Sequence, residues 1–599
     1  MTKDKKFNWR FCLCCGIFIW FVINLLQGIF TEIQEDEAYY ALYGEHLAWG
    51  YYDHPPMVGL MTFLSSLFFS GTLGVRFFTI IASCLSLWVM WLIAIGRPFD
   101  GLRDLNLSST VKAKVVEPVE TPTCMHVFLF FVLTCSIVMF NIYGFVTTPD
   151  ASLILFSALF LLVYQRYLEN KSWKNALLMG VFMALMIYSK YHAFLFLGLI
   201  VLSNLKLLKD GKFWVACFLA LALLTPHILW QVNNGFPSFK YHLVGRNEAF
   251  RWSYFFEYLP NQLLIFNPFT FGAVVYVLIK DRICVRIPPA PLKRGIGVFE
   301  RGLKFILIGF FFFFWLMAFR GHVEPHWTIV CVIPIVVLIY RKALGDDKLR
   351  KYIKFFILPS LLLVLAFRIL LLTPLADRFG YHGKEPYYKA IEQVAGDRPV
   401  VIRGSFQQPA LYHYFSGKES STLQCYYDRM TQYDLWQFDK DWIGKPVFVC
   451  GAVNELSEVY HIGDVEVEGF LTDHFQTANR LITTFSITNA NDAETPVFHH
   501  GDTIQVDFTI FNPCDEAIDF HDKDFGMVIK AQYLLSNDFS YCVYDDIATL
   551  MPQTSYQGHL YTIVSDEVAT GPNRFALGIG DRISSFVTEE HQLKIVIEK

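Results

Sequence analysis

A basic stripe interleaved with aromatic residues, the footprint of a nucleic-acid binder, is missing from this 599-residue chain. Its 50 Lys and Arg against 54 Asp and Glu give a net charge of −4, which offers no general attraction to a polyanion. That class is set aside. No small-residue cleavage site follows the first apolar segment, Phe11–Phe30, although the basic stretch "MTKDKKFNWR" precedes it, so the segment reads as a permanent span and not as a removable leader. No pair of candidate ligands has a close metal spacing such as H-x-x-x-H. The stretch "TEIQEDEAYYALYGEHLAWGYYDHPPM", Thr31 to Met57, holds six acidic residues, two histidines and five tyrosines without one Lys or Arg.

What is present in excess is apolar sequence. A hydrophobic content of 54% is too high for an ordinary soluble protein, so lipid solvates much of the chain. Apolar runs recur from Phe11 to Thr373 and then give way to mixed sequence up to Lys599, which predicts a membrane module followed by a water-exposed one. Spans are expected at about 11–30, 73–96, 126–146, 151–165, 213–230, 260–279, 305–319, 327–340 and 355–373. The region 176–203 is either one tilted helix or a hairpin turning at "YSKYHA", Tyr188 to Ala193. Under the hairpin reading the cytosolic segments hold 27 Lys and Arg and the outer loops 5, whereas a single span would move the basic clusters at 279–304 and 341–354 outside. The expectation is therefore eleven spans, with the N-terminus inside and the C-terminal part outside. "HPPMVGLMTFLSSLFFSG", with Met57, Leu60, Met61, Leu64 and Phe68 at helical spacing, reads as an interfacial helix on the outer face.

This topology gathers the unusual polar residues on one side of the membrane. Asp36 and Glu37 lie on the first outer loop, Asp150 ends "YGFVTTPD" on the second, Lys190 and His192 mark the hairpin tip, and Glu324 and His326 sit in "FRGHVEPHWT". Ionisable groups at membrane depth are costly unless they serve a cavity or a partner. Helix capping and snorkelling are the alternatives, and Asp36 also reads as an N-cap for "EAYYALYGEHLAW". Tyr39, Tyr40, Tyr43, Trp49, Tyr51 and Tyr52 have two readings, an interfacial belt or a stacking platform for sugar rings.

At "DEAYYALYGEHLAWGYYDHPPM", "TTPD", "YSKYHA" and "EPHWT" the sequence resembles the bacterial GT-C glycosyltransferases, the family that includes aminoarabinose lipid A transferase and is related to the protein O-mannosyltransferases. The resemblance covers about residues 10–375. It implies a polyprenyl-phosphate-linked sugar as donor, a glycolipid (lipid A among them), polymer or protein as acceptor, transfer with inversion on the outer face of the membrane, and a place in the bacterial inner membrane. By that resemblance Asp36 matches the catalytic aspartate and Asp150 the second-loop acid, with Glu37 beside them. Lys190 matches a Lys expected against the lipid phosphate, Arg246, Arg251 and Arg320 are further candidate cations, and Tyr39, Tyr40, His192 and His326 are candidate substrate contacts. A divalent cation is a candidate cofactor, with Glu37, His54 and His326 as its candidate ligands. The chemistry agrees: an acceptor hydroxyl attacking an anomeric carbon must lose its proton to a general base, and cations stabilise a departing phosphate.

Residues 376–470 read as an α/β unit, from "RPVVIRGSFQQPALYHYFSG" and "KPVFVCG", and residues 471–599 as a β-sandwich. In the latter Ile504, Val506, Phe508 and Ile510 alternate onto one face, as do Leu593, Ile595 and Ile597. The sandwich either binds acceptor glycan or braces the unit before it. Cys12, Cys14 and Cys15 are expected to pack, and Cys425, Cys450, Cys514 and Cys542 are candidates for disulfides. Two other functional classes compete. A polyprenyl-lipid flippase or transporter calls for mid-span ionisable residues and an internal repeat, neither of which is clear. An inert membrane scaffold leaves Asp36, Glu37 and Asp150 unexplained.

Overall fold

The computed structural model of the protein describes residues 8–96, 122–245, 251–280, 296–379, 382–423, 430–451, 456–490, 495–535, 538–580, 587–588 and 592–599. The chain divides into two compact units, Met1–His382 and Gly383–Lys599. The expected limit at 375 is thus displaced by seven residues.

The first unit is a helical membrane module. Its helices are α1 (Trp9–Phe30), α2 (Glu35–Glu45), α3 (Met57–Ser66), α4 (Gly71–Ile95), α5 (Cys124–Cys135), α6 (Val138–Ile142), α7 (Pro149–Glu169), α8 (Trp173–Ser189), α9 (His192–Ser203), α10 (Gly211–Asn233), α11 (Pro237–Lys240), α12 (Trp252–Phe266), α13 (Pro268–Lys280), α14 (Ile296–Met317), α15 (Val332–Ala343), α16 (Asp347–Tyr352) and α17 (Leu358–Leu370). Among the described residues six helices are long and apolar enough to cross a membrane: α1, α4, α7, α10, the stretch Pro325–Ala343 and the stretch Asp347–Leu370. The pair α12 and α13 makes a seventh if counted as one bent span. The protein is therefore a multi-pass membrane protein. α5, α8 and α9 are apolar but shorter.

Two expected spans, 126–146 and 260–279, are interrupted, and the region 176–203 is divided, each for a local reason. The stretch 126–146 breaks between α5 and α6, where Asn141 Nδ2 donates to the carbonyls of Cys135 (2.7 Å) and Ile137 (2.8 Å) left over at the break. The stretch 176–203 breaks at Lys190, whose extended backbone (φ −161°) separates α8 from α9, as the hairpin reading requires. The stretch 260–279 bends by 100° at Asn267, a positive-φ residue (67°) followed by a proline that cannot continue a helix. α3 covers the apolar stretch after Pro56 and buries Met57 and Met61 while Leu60 stays exposed.

Trp91, Phe130, Tyr164 and Tyr340 are fully buried in the core of this unit. Cys12 and Cys124 form a disulfide joining α1 to α5, so Cys12 does more than pack. Cys450, Cys514 and Cys542 carry free thiols, and Cys425 lies outside the described residues.

The second unit is β-rich. Its five-stranded sheet has the spatial order Ser420–Leu423, Val400–Arg403, Val447–Cys450, Val465–Thr472, Glu458–Ile462. The first three strands are parallel and the last two join antiparallel. A nine-stranded sheet follows in the order Ile482–Ile487, Thr503–Phe511, Ser555–Ile563, Asp538–Tyr544, Val528–Tyr533, Gly571–Gly580, Leu593–Glu598, Val497–His499, with Val587–Thr588 paired to Gly571–Gly580. Ile504, Val506, Phe508 and Ile510 are buried in alternation with exposed neighbours. Phe485 meets Phe575 at 5.8 Å between strands distant in that order. Val401, Val449 and Phe470 of the first sheet share one core with the residues of the second, so the expected division at 470 falls inside a single compact unit.

Candidate active site

The acidic loop folds into α2, and its first turn carries Glu35, Asp36 and Glu37 at the positive end of the helix dipole. The N-cap is Gln34 and not Asp36. Glu37 at the third helical position accepts the Gln34 backbone N–H (3.0 Å), closing a capping box. This places two neighbouring acids in opposite surroundings: Asp36 is exposed and Glu37 is fully buried.

Glu37 is held by Arg76 of α4, itself fully buried. The guanidinium donates Nε–H to Oε1 (2.8 Å) and an Nη2–H to Oε2, while the Thr147 backbone N–H donates to Oε1 (2.8 Å). Arg76 also donates to the carbonyls of Gly28 (3.1 Å), Thr31 (2.7 Å) and Glu32 (2.9 Å). Thr147 is tied in turn to α4, through the Thr79 hydroxyl at 2.9 Å. One ion pair therefore joins the end of α1, the start of α2, α4 and the loop before α7. Glu37, a candidate for catalysis or metal binding by its sequence position, has its oxygens accepting from Arg76, Thr147 and Gln34.

Asp150 follows Pro149 at the start of α7 and is 1% exposed. Lys190, at the break between α8 and α9, donates from Nζ to both carboxylate oxygens, at 2.9 and 2.7 Å. His326 Nε2 stands 3.8 Å from Asp150 Oδ2. The ammonium expected to face the lipid phosphate is thus paired to Asp150.

Tyr39 and Tyr40 are buried, and the sugar-platform reading fails for both. The Tyr40 hydroxyl lies 3.1 Å from His54 Nε2, and the Tyr43 hydroxyl donates to Asp53 Oδ1 (2.8 Å) while its ring stacks on Tyr51 at 3.8 Å. The segment after α2 is anchored from outside. His227 Nδ1 meets the Trp49 carbonyl at 2.6 Å, Ser238 donates to the Tyr51 carbonyl (2.9 Å), and His242 Nε2 meets the Asp53 carbonyl at 3.1 Å. Burial, reinforced by the negative charges of Asp36, Asp53 and Asp150, pushes the Tyr40 hydroxyl well above its usual pKa. Burial lowers His54 to about 4, against the pull of Asp53, so its imidazole is neutral at physiological pH. His192 packs between the rings of Phe314 (5.1 Å) and Trp327 (5.5 Å). Arg251 is exposed beside the Tyr254 ring (5.8 Å), Arg320 is exposed, and Arg246 lies outside the described residues. Among the described residues no group of three or more His, Cys, Asp or Glu side chains is placed to hold a metal ion. The set Glu37, His54 and His326 is not assembled.

The model of the family described as dolichyl-phosphate-mannose-protein mannosyltransferase matches residues 125–230, which contain Asp150 and Lys190. Two solved structures of ArnT from Cupriavidus metallidurans are similar to the chain. The apo form is 13% identical with a TM-score of 0.52, and the form bound to undecaprenyl phosphate is 14% identical with a TM-score of 0.53; each match covers 76% of this chain and 97% of ArnT. The chain shares the fold of ArnT, which is of the GT-C type. Among curated proteins none matches it by sequence.

Within this GT-C fold the sequence reading missed two arginines. Besides Arg76 there is Arg368 of α17, 4% exposed, which donates to the side-chain oxygens of Asn24 (2.9 Å), Asn141 (3.3 Å) and Gln27 (3.4 Å). It has no carboxylate within ion-pair distance among the described residues. Its guanidinium lies over Trp20 (5.5 Å) and Phe145 (5.3 Å), and Arg76 reaches the same Phe145 ring at 5.7 Å. The loop from Asn141 to Asp150 is therefore braced by two buried cations. An Arg inside an otherwise apolar run was the available signal.

Proposed function

We propose that the protein is an inverting glycosyltransferase that moves a sugar from a polyprenyl-phosphate donor to a hydroxyl-bearing acceptor (a glycolipid, a glycan polymer or a protein) on the outer face of the bacterial inner membrane. The observation that carries this reading is an exposed Asp36 whose charge, like that of the buried Asp150 paired to Lys190, acts on the hydroxyls of Tyr40 and Tyr143, on a fold shared with ArnT solved with undecaprenyl phosphate. Asp36 is the general base. The acceptor oxygen bonds to the anomeric carbon, the bond from that carbon to the phosphate oxygen breaks, the acceptor proton passes to the Asp36 carboxylate, and polyprenyl phosphate leaves as an anion. Attack opposite the leaving phosphate inverts the centre without a covalent intermediate. Glu37 takes no part in the chemistry. It fixes the first turn of α2, and with it Asp36, against α4 and the second loop. Asp150 and Lys190 form a nearly neutral pair, and a cation is needed to stabilise the departing phosphate, for which Lys190, Arg251 and Arg320 are the candidates.

The reading includes eleven spans, the N-terminus inside and Gly383–Lys599 outside as a β-sandwich-containing domain; the 27 to 5 charge bias supports it. Two experiments test it. The purified protein, given undecaprenyl-phosphate sugars and an envelope extract, is expected to release undecaprenyl phosphate and label an acceptor. No release with any donor sugar contradicts the proposal. A reporter active only outside the cytosol is expected to be active when fused after Lys599 and silent when fused within 284–300, and the reverse pattern contradicts the topology.

A further inference from the structure

Tyr143 is a site residue that neither its motif nor its neighbours announce. It caps α6, is partly buried, and its ring meets that of His326 edge-on, with centroids 6.0 Å apart at 79°. Through His326 it adjoins Asp150, whose Oδ2 is 3.8 Å from the imidazole. Its hydroxyl has no protein hydrogen-bond partner among the described residues, whereas the neighbouring Tyr40 and Tyr43 hydroxyls are both engaged. The chain just after it is closely packed. A Cβ on Gly144 would come within 2.7 Å of Asn24 Oδ1 and 2.9 Å of the Trp20 ring, and Phe145 is held between Arg76 and Arg368.

Resting on the transferase reading, we infer that Tyr143 binds substrate directly, its hydroxyl donating a hydrogen bond to a sugar oxygen on the carboxylate side of the site and not to the lipid phosphate. Three carboxylates, those of Asp150, Asp36 and Glu324, act on this hydroxyl, and together with burial they keep it protonated and so a donor. A phosphate placed there would face those carboxylates while the nearby cation, Lys190, already serves Asp150. A neutral sugar hydroxyl suits the same place, because it accepts from Tyr143 and donates to a carboxylate. The donor sugar and the acceptor sugar share that chemistry.

Tyr143→Phe keeps the ring against His326 and removes only the hydroxyl. Loss of one neutral hydrogen bond, about 0.5 to 1.5 kcal/mol, corresponds to roughly a 2- to 12-fold effect. The expected result is a KM raised by that factor for the substrate that carries the hydroxyl, donor or acceptor, with kcat, Tm and the Kd for undecaprenyl phosphate unchanged. Unchanged KM values for both substrates overturn the inference, and so does a proportional loss of undecaprenyl phosphate binding, which would put Tyr143 on the phosphate. The parent enzyme separates the two failures. If it transfers no sugar, the transferase reading fails and this inference falls with it; if it transfers and Tyr143→Phe matches it, only the role of Tyr143 is lost.

Discussion

Glu37 and Asp150 are both buried carboxylates paired to a buried cation, and the difference between their surroundings separates scaffold from site. Glu37 accepts from Arg76, Thr147 and Gln34 and is fully buried. Asp150 is paired to Lys190 alongside His326 and Tyr143, and it shares a local field with Asp36. A buried charge that has used up its neighbours holds structure, whereas one bordered by partly exposed groups is placed to meet a ligand.

The largest expected effect comes from breaking the first pair. Arg76→Met leaves Glu37 buried without its cation and strips donors from the carbonyls of Gly28, Thr31 and Glu32, so a loss of about 3–5 kcal/mol is expected, seen as a large fall in Tm or failure to accumulate. A Tm within 2 °C or so of the parent would show that the pair does not anchor α2. Lys190→Met is expected to cost about 3 kcal/mol for the same reason, and Asp150→Leu in that background to recover part of it, since removing both charges leaves none uncompensated. Additive losses in the double variant would contradict a coupled pair.

The second unit sharpens the contrast by sharing one arginine between two acids. Arg480 donates to both oxygens of Asp439 (3.0 and 2.6 Å) and stands 4.0 Å from Asp434. Burial then raises the Asp434 carboxyl to about 6, against the lowering effect of Arg480. A carboxyl raised in the folded state above its unfolded value of about 3.9 stabilises the fold at low pH, and that contribution fades as pH rises from about 4 to 6. At roughly 2–3 kcal/mol, it predicts slower hydrogen exchange around residues 430–480 at pH 4.5 than at pH 7.5, after correction for intrinsic rates. Asp434→Asn is expected to flatten the difference, and an unchanged difference would contradict the assignment.

Much of this was legible in the sequence, for identifiable reasons. Long apolar runs such as Phe11–Phe30 announce their helices because lipid demands it, and alternation at Ile504–Ile510 announces a strand because one face is buried. The break at Lys190 followed from charge asymmetry across the membrane. What stayed hidden was pairing across long sequence distances. Nothing local to Glu37 says that it meets an arginine on α4 and a backbone amide at Thr147, so two adjacent acids looked alike, although the spacing from Gln34 to Glu37 fits a capping box. Lys190 looked like a lone cation because its partner, Asp150, is on another loop. Arg76 and Arg368 sit inside apolar runs, where a cation calls for a buried partner that the local sequence does not name.

The central claim is that positions 36 and 37 do opposite work, and one paired assay tests it most directly. Transfer rate and thermal stability are measured together on purified Asp36→Asn and Glu37→Gln. Asp36→Asn is expected to keep the parental Tm and lose about 10²- to 10⁴-fold in rate, because the amide cannot take the acceptor proton. Glu37→Gln is expected to lose stability first and activity only in step with it. Near-parental turnover by Asp36→Asn, or a stable Glu37→Gln protein without activity, would contradict the account.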